Sequence, residues 1–284
     1  MSSLLLEPFN YSYMANAIWV SGLVGATCAF LSAYLMLKGW SLMGDALAHS
    51  IVPGVALAYL LNLPYAIGAF FSGLLAALSM HIVKQKTQLR EDAVIGLIFT
   101  TFFALGLLLI SIKPTAINIQ GIILGNILAI SPIDRLQVII ISLISCLCLL
   151  INWKAFMLVF FDDAHAKSIG IRANALKVLF FTLLSAATVA ALQTVGACLV
   201  IALLVTPGST AYLYTDRFGI LIIISVLIGT LTCVLGTYLS YFLDANPGGL
   251  IVCLQTSLFL LSLILAPKHG LLVNKRSQKK LRTI

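Results

Sequence analysis

The sequence predicts an all-α fold, a polytopic membrane bundle of about nine transmembrane helices. Two observations carry that prediction. Of 284 residues, 61% are hydrophobic and 9% charged, with mean hydropathy +1.09, whereas a soluble domain needs about 25% charged residues to build its surface. The apolar residues also fall in long continuous runs, without the period-two alternation of a transmembrane barrel. Lipid as solvent excludes a soluble enzyme, a disordered tail and a nucleic-acid module, despite a net charge of +8.

A helix needs about 20 apolar residues to cross the bilayer. The runs place spans at 14–37, 46–62, 64–83, 93–112, 136–152, 174–193, 195–214, 218–242 and 248–266, each bounded by a charge, a Pro or a Gly-containing turn. The first run is read as a span, because Glu7 and no basic residue precede it. Residues 118–131 are too short to cross and read as an outer half-helix, broken near Gly125-Asn126 and ended before Pro132. With the N-terminus outside, only Lys113 and Arg135 of the 17 basic residues fall outside. The positive-inside rule thus puts the C-terminus in the cytoplasm. No linker or internal repeat divides the chain, so 1–284 reads as a single transmembrane domain with a cytoplasmic segment at 153–173 and a basic tail at 267–284. The tail faces anionic lipid, not nucleic acid. All six cysteines lie in apolar spans without a CxxC pair and read as buried small hydrophobes.

Among the ionisable residues, Asp45 and His49 stand apart at the start of the second span. Four residues apart, they share one helical face, with Cβ atoms about 6 Å from each other. A carboxylate and an imidazole suit Mn²⁺, Fe²⁺ or Zn²⁺ better than Ca²⁺ or Cu⁺. Pro53 lacks an N–H and leaves the His49 carbonyl without its helical donor. Two ligands do not complete a shell; a symmetry mate would make four. The same spacing also allows Asp45 to be a helix N-cap for Leu47 or Ala48, although intramembrane ionisable groups tend to mark transport paths. His81, His165 and His269 read as interfacial or solvated. Thr206-Pro207-Gly208 breaks the seventh span near its inner end, with small residues suited to close packing.

The inner segment holds a second signal. Asp162-Asp163 caps a short helix and Gly170 stops it, giving an amphipathic two-turn element that fits lipid or a partner's groove. No GxxxxGK[ST], HExxH or GxSxG occurs, so the chain has no P-loop and no visible hydrolytic machinery.

Several stretches together resemble the metal-type ABC permeases that serve zinc, manganese and iron importers. They are Lys38 to Gly54, containing Gly44-Asp45-Ala46-Leu47-Ala48-His49-Ser50; Arg90 to Gly96 with Phe99 to Gly106; and Thr194 to Val200 leading into Val205 to Gly208. The resemblance runs over roughly 10–272, and residues 38–54 are most similar to the manganese/iron branch of enteric bacteria. It implies the type II, vitamin-B12-type, importer fold. It also implies a homo- or heterodimer with a second permease, a separate ABC ATPase inside, and an extracytoplasmic metal-binding protein outside. Asp45 and His49 then match the metal path, and Asp162, Ala166 and Gly170 match the ATPase coupling element. The expected function is ATP-driven import of manganese or iron, possibly zinc, across the bacterial inner membrane, with the metal as cargo and no resident cofactor. An ion-gradient-driven secondary transporter is the alternative; it predicts ionisable groups from several spans in one cavity and an inverted repeat. A membrane enzyme ranks last.

Overall fold

The computed structural model describes residues 7–112, 128 and 130–270, and all regular structure among them is helical. Helix α1 spans Ser12–Lys38, α2 Met43–Ser50, α3 Val52–Leu60, α4 Tyr65–Lys86 and α5 Glu91–Ile112. Then come α6 Pro132–Phe161, α7 Asp163–Ser168, α8 Ala173–Val195, α9 Ala197–Tyr214, α10 Phe218–Leu243 and α11 Pro247–Leu265. Among the described residues eight helices are long and apolar enough to cross a membrane when α2 and α3 count as one, and α9 supplies a shorter apolar ninth. The nine expected spans each coincide with one of these.

Helix α1 is the axis of the bundle. It is buried along most of its length and packs most extensively on α10 and α9, with α6 and α8 also against it. Lipid gives helices little hydrophobic reason to associate, so small residues and polar bonds hold them. Ser225 Oγ donates to the Ala29 carbonyl at 2.7 Å, Thr237 Oγ1 donates to Ser21 Oγ at 3.0 Å, and the Gly208 N–H donates to Ser32 Oγ at 3.0 Å.

Three expectations change. The fifth helix does not stop at 152: α6 continues to Phe161, because Ala155 to Phe161 offers no breaker and Asp162 is the first residue able to cap a new helix. The link between α6 and α7 therefore falls at Asp162. Pro207 does not break its span, since α9 runs through it to Tyr214. Gly208 there lies against Ser32, as the packing reading expected. The half-helix at 118–131 and the tail from 271 lie largely outside the described residues.

The second span is interrupted at Ile51, between α2 and α3. Pro53 cannot donate to the His49 carbonyl, but that carbonyl is not left free as expected: it takes the Ile51 N–H. The Ser50 carbonyl takes the Ser72 hydroxyl of α4 at 2.7 Å. Directly above, α3 crosses α4 at two glycines, and a Cβ on Gly54 would lie 2.0 Å from the Gly68 carbonyl oxygen. Gly54→Ala should therefore push the two helices apart and cost about 1–3 kcal/mol. Thermal unfolding of the purified chain in detergent should show a lowered midpoint, with Gly249→Ala, where a Cβ meets nothing within 4 Å, left near wild type.

Candidate metal path and coupling helix

The turn between α1 and α2 sets the position of the candidate ligands. Gly39, at φ +75°, closes α1 with the paired bonds of a Schellman motif: its N–H reaches Met36 O at 3.2 Å, and the Trp40 N–H reaches Leu35 O at 2.8 Å. The chain re-enters helix at Met43, whose N–H bonds Trp40 O at 3.1 Å. Along α2, Met43, Gly44, Ala46, Leu47, Ala48 and Ser50 are buried. Asp45 and His49 are its two half-exposed side chains, at 42% and 34%.

The structure brings the two together. His49 Nε2 lies 3.4 Å from Asp45 Oδ1, and the imidazole sits against Phe99 and Phe103 of α5, with ring centroids 5.6 and 5.4 Å away. The cap is Leu42, with no side-chain cap bond, and Asp45 lies inside the first turn, so the N-cap reading of Asp45 does not hold. A donor separation of 3.4 Å also has a coordination meaning. Two bonds of about 2.1 Å meeting at the tetrahedral angle put their donors about 3.4 Å apart. Among the described residues no group of three or more His, Cys, Asp or Glu converges on one point. Among the described residues the pair thus presents two candidate donors on an open face, and a metal held there would take the rest of its shell from water or another molecule.

The connection between α6 and α8 is capped as its residues predict. Asp162 Oδ1 caps α7 by accepting the His165 N–H at 3.0 Å. Gly170, at φ +84°, ends it, with Gly170 N–H to Lys167 O at 3.1 Å and Ile171 N–H to Ala166 O at 3.0 Å, again a Schellman pair. Ala166 is fully buried against Val159 and Ala173, so α7 lies on the ends of α6 and α8. Phe161 at the end of α6, and His165 and Ile169 around α7, are exposed. Asp163 pins the element by ion pairs to Lys167 at 2.7 Å and to Lys177 of α8 at 2.9 Å.

Two of the remaining histidines have side-chain partners of their own. His81 contacts Gln85 and packs on Phe181. His165 is exposed on α7. His269 pairs with Asp216 at 2.9 Å and stacks on Tyr212, while Lys268 also bonds Asp216. The described cysteines are free thiols. Sequence reasoning missed two contacts. One is the aromatic seat of His49, whose Phe99 and Phe103 are spaced one turn apart in the sequence. The other is the bond from Trp40 Nε1–H to Glu91 Oε2, at 2.5 Å, for which the sequence holds no signal.

The sequence pattern of the ABC 3 transport family matches residues 10–266. The chain belongs to that family. The chelated iron transport system membrane protein YfeC of Yersinia pestis is 64% identical, over 97% of this chain and 94% of its own length. The manganese transport system membrane protein MntB of Synechocystis is 49% identical, over 95% and 89%. Among solved structures, PsaBC from Streptococcus pneumoniae, determined with a Fab, superposes at a TM-score of 0.84 with 33% identity, covering 97% of this chain and 100% of that one. As an ABC 3 member the chain is a multi-pass permease of the bacterial inner membrane with the type II fold. It is a transport subunit and not an enzyme, and ATP hydrolysis belongs to a separate ATPase.

Burial would raise the Asp163 carboxyl, but the Lys167 and Lys177 ammoniums outweigh it and hold it below its ordinary 3.8. A carboxyl lowered on folding stabilises fully above its unfolded value and loses that contribution as pH falls through the folded one. Hydrogen exchange of the α7 amides should therefore show steady protection at neutral pH that weakens as pH drops below about 4. Asp163→Asn should lack this acid step and lose a few tenths to about 1 kcal/mol of local protection at pH 7, given the screening at a half-exposed site.

Proposed function

We propose that this chain is the membrane-spanning permease of an ATP-driven importer of divalent transition metal, manganese or iron with zinc as the third candidate. Its partners are a cytoplasmic ABC ATPase, an extracytoplasmic metal-binding protein and a second permease, identical or homologous. The observation that carries the reading is the facing carboxylate and imidazole of Asp45 and His49, half-open on an interrupted helix. The names of the relatives, an iron system and a manganese system, support the choice of cargo. The metal is substrate, with no resident cofactor, and the whole chain acts as one permease domain.

In this reading Asp45 and His49 supply two donors each from two copies, and an ion arriving from the outer protein passes them on the way in. A shell of mixed carboxylate and imidazole binds borderline divalent ions without discriminating sharply among them, and a path has to release what it holds. Selectivity is therefore left to the binding protein. The distribution of basic residues supports an outer N-terminus and a cytoplasmic C-terminus. That orientation puts α7, with Asp162, Ala166 and Gly170, on the side of the ATPase, where its exposed Phe161 and Ile169 offer an apolar contact.

The test is uptake of Mn²⁺, Fe²⁺ and Zn²⁺ into vesicles holding the whole complex. Asp45→Ala and His49→Ala should each lower uptake at least tenfold, the scale on which weakened metal ligation reduces activity, while the ATPase still co-purifies. Near-normal uptake in either variant removes the ligand assignment. Ala166→Leu, which overfills the seat of α7, should leave ATP hydrolysis uncoupled from uptake or detach the ATPase. Uptake that persists without ATPase and collapses with the proton gradient would instead establish a secondary transporter.

A further inference from the structure

We infer that Trp40 is the positioning residue through which movement of α7 reaches the Asp45–His49 pair, with its hydrogen bond to Glu91 as the link between the two. The inference rests on the importer reading above. On one side, the indole is held by the two helices on which α7 is mounted. It meets Phe160 of α6 edge-on, with centroids 5.7 Å apart, and stacks on Phe181 of α8 at 5.5 Å. Phe160 lies just before the Asp162 cap, and α8 grips α7 through the Lys177–Asp163 pair at 2.9 Å. A displacement of α7 therefore bears on both walls of the Trp40 seat.

On the other side, Trp40 is joined to both helices that hold the pair. Its carbonyl takes the first N–H of α2, from Met43, at 3.1 Å, and α2 carries Asp45 and His49. Its Nε1–H donates to Glu91 Oε2 at 2.5 Å, in the first turn of α5, and α5 carries the Phe99 and Phe103 seat of His49. A hydrogen bond to an ionised carboxylate belongs to the strong class, so α5 and the α1–α2 turn move together while it is intact. A cavity of about 30 Å³ lined by Trp40, Met43, His81 and Glu91 lies beside the bond.

Trp40→Phe keeps the ring contacts and removes the N–H; Glu91→Leu removes the acceptor; Glu91→Gln keeps an acceptor oxygen. In vesicles containing the complete complex and Mn²⁺-loaded binding protein, Mn²⁺ uptake and phosphate release are measured together. Trp40→Phe and Glu91→Leu should each lower the Mn²⁺ transported per ATP by about tenfold, as expected for one charge-assisted hydrogen bond, with assembled complex and basal hydrolysis near wild type. Glu91→Gln should recover most of the ratio, and the double variant Trp40→Phe/Glu91→Leu should fall no further than either single one. An unchanged ratio, or a loss confined to the amount of assembled complex, overturns the assignment. Should Trp40→Phe not assemble, the Glu91 pair reads the same bond from its other end. A wild-type complex without ATP-dependent uptake overturns the importer reading itself, whereas a transporting wild type with unaltered variants overturns only the role of Trp40.

Discussion

Every backbone donor and acceptor of this chain that lies in hydrocarbon has to be bonded within the protein, because lipid offers no replacement. The helical content follows from that requirement, and so do the few places where side chains reach across to backbone. The Gly208 N–H takes Ser32 Oγ and the Ala29 carbonyl takes Ser225 Oγ, so the hydroxyls on α1 and its neighbours tie helices together. At Ile51 the helix is interrupted. There the Ser50 carbonyl is served by Ser72 from the neighbouring helix. The interruption is tolerated because α4 lies close enough to repair it, and the glycine crossing of α3 and α4 provides that closeness. The site thus depends on a helix that is short, bent and supported from outside itself.

Composition and hydropathy were enough to reveal the nine apolar spans found among the described residues, since in lipid a long apolar run has no other stable conformation. Cap chemistry was equally legible: Asp162 and Gly170 bound α7 by rules that act within a few residues, and the spacing of Asp45 and His49 placed both on one face. What failed was the reading of single residues as punctuation. Pro207 lies within α9, where packing on α1 outweighs its local cost, and the apolar Ala155 to Phe161 stretch extended a helix expected to end sooner. The partner of Trp40 was illegible for a different reason. Glu91 is far away in sequence, and nothing local to either residue says that the α1–α2 turn lands at the start of α5.

A pair of donors is a weaker trap than a complete shell, and that suits a conduit. Full ligation by one chain would hold a divalent ion tightly, and residence would then limit flux. With two donors per copy, in the dimer proposed here, the strength of binding becomes a function of the distance between copies. An ion drawn toward both copies favours their approach, and separation of the copies favours its release. By thermodynamic reciprocity, whatever alters the arrangement of the copies alters the affinity for the ion by the same factor.

That reciprocity gives the position of α7 its consequence. Ala166 is buried against the ends of α6 and α8, and those helices reach the core of the bundle through Phe156, Phe160 and Phe180, which gather around Tyr34 of α1. A force on α7 therefore enters a rigid aromatic cluster and not a yielding loop. Closely packed interiors respond to such a force by moving as bodies, because local compression costs more than displacement. The helix bearing Asp45 and His49 is short, is interrupted at Ile51 and buries every residue but those two, so a displacement of its neighbours reaches the donors through its packed face. In the importer proposed above, a push on α7 would then be delivered through close packing and would reach Asp45 and His49 as a change in the geometry of the pair.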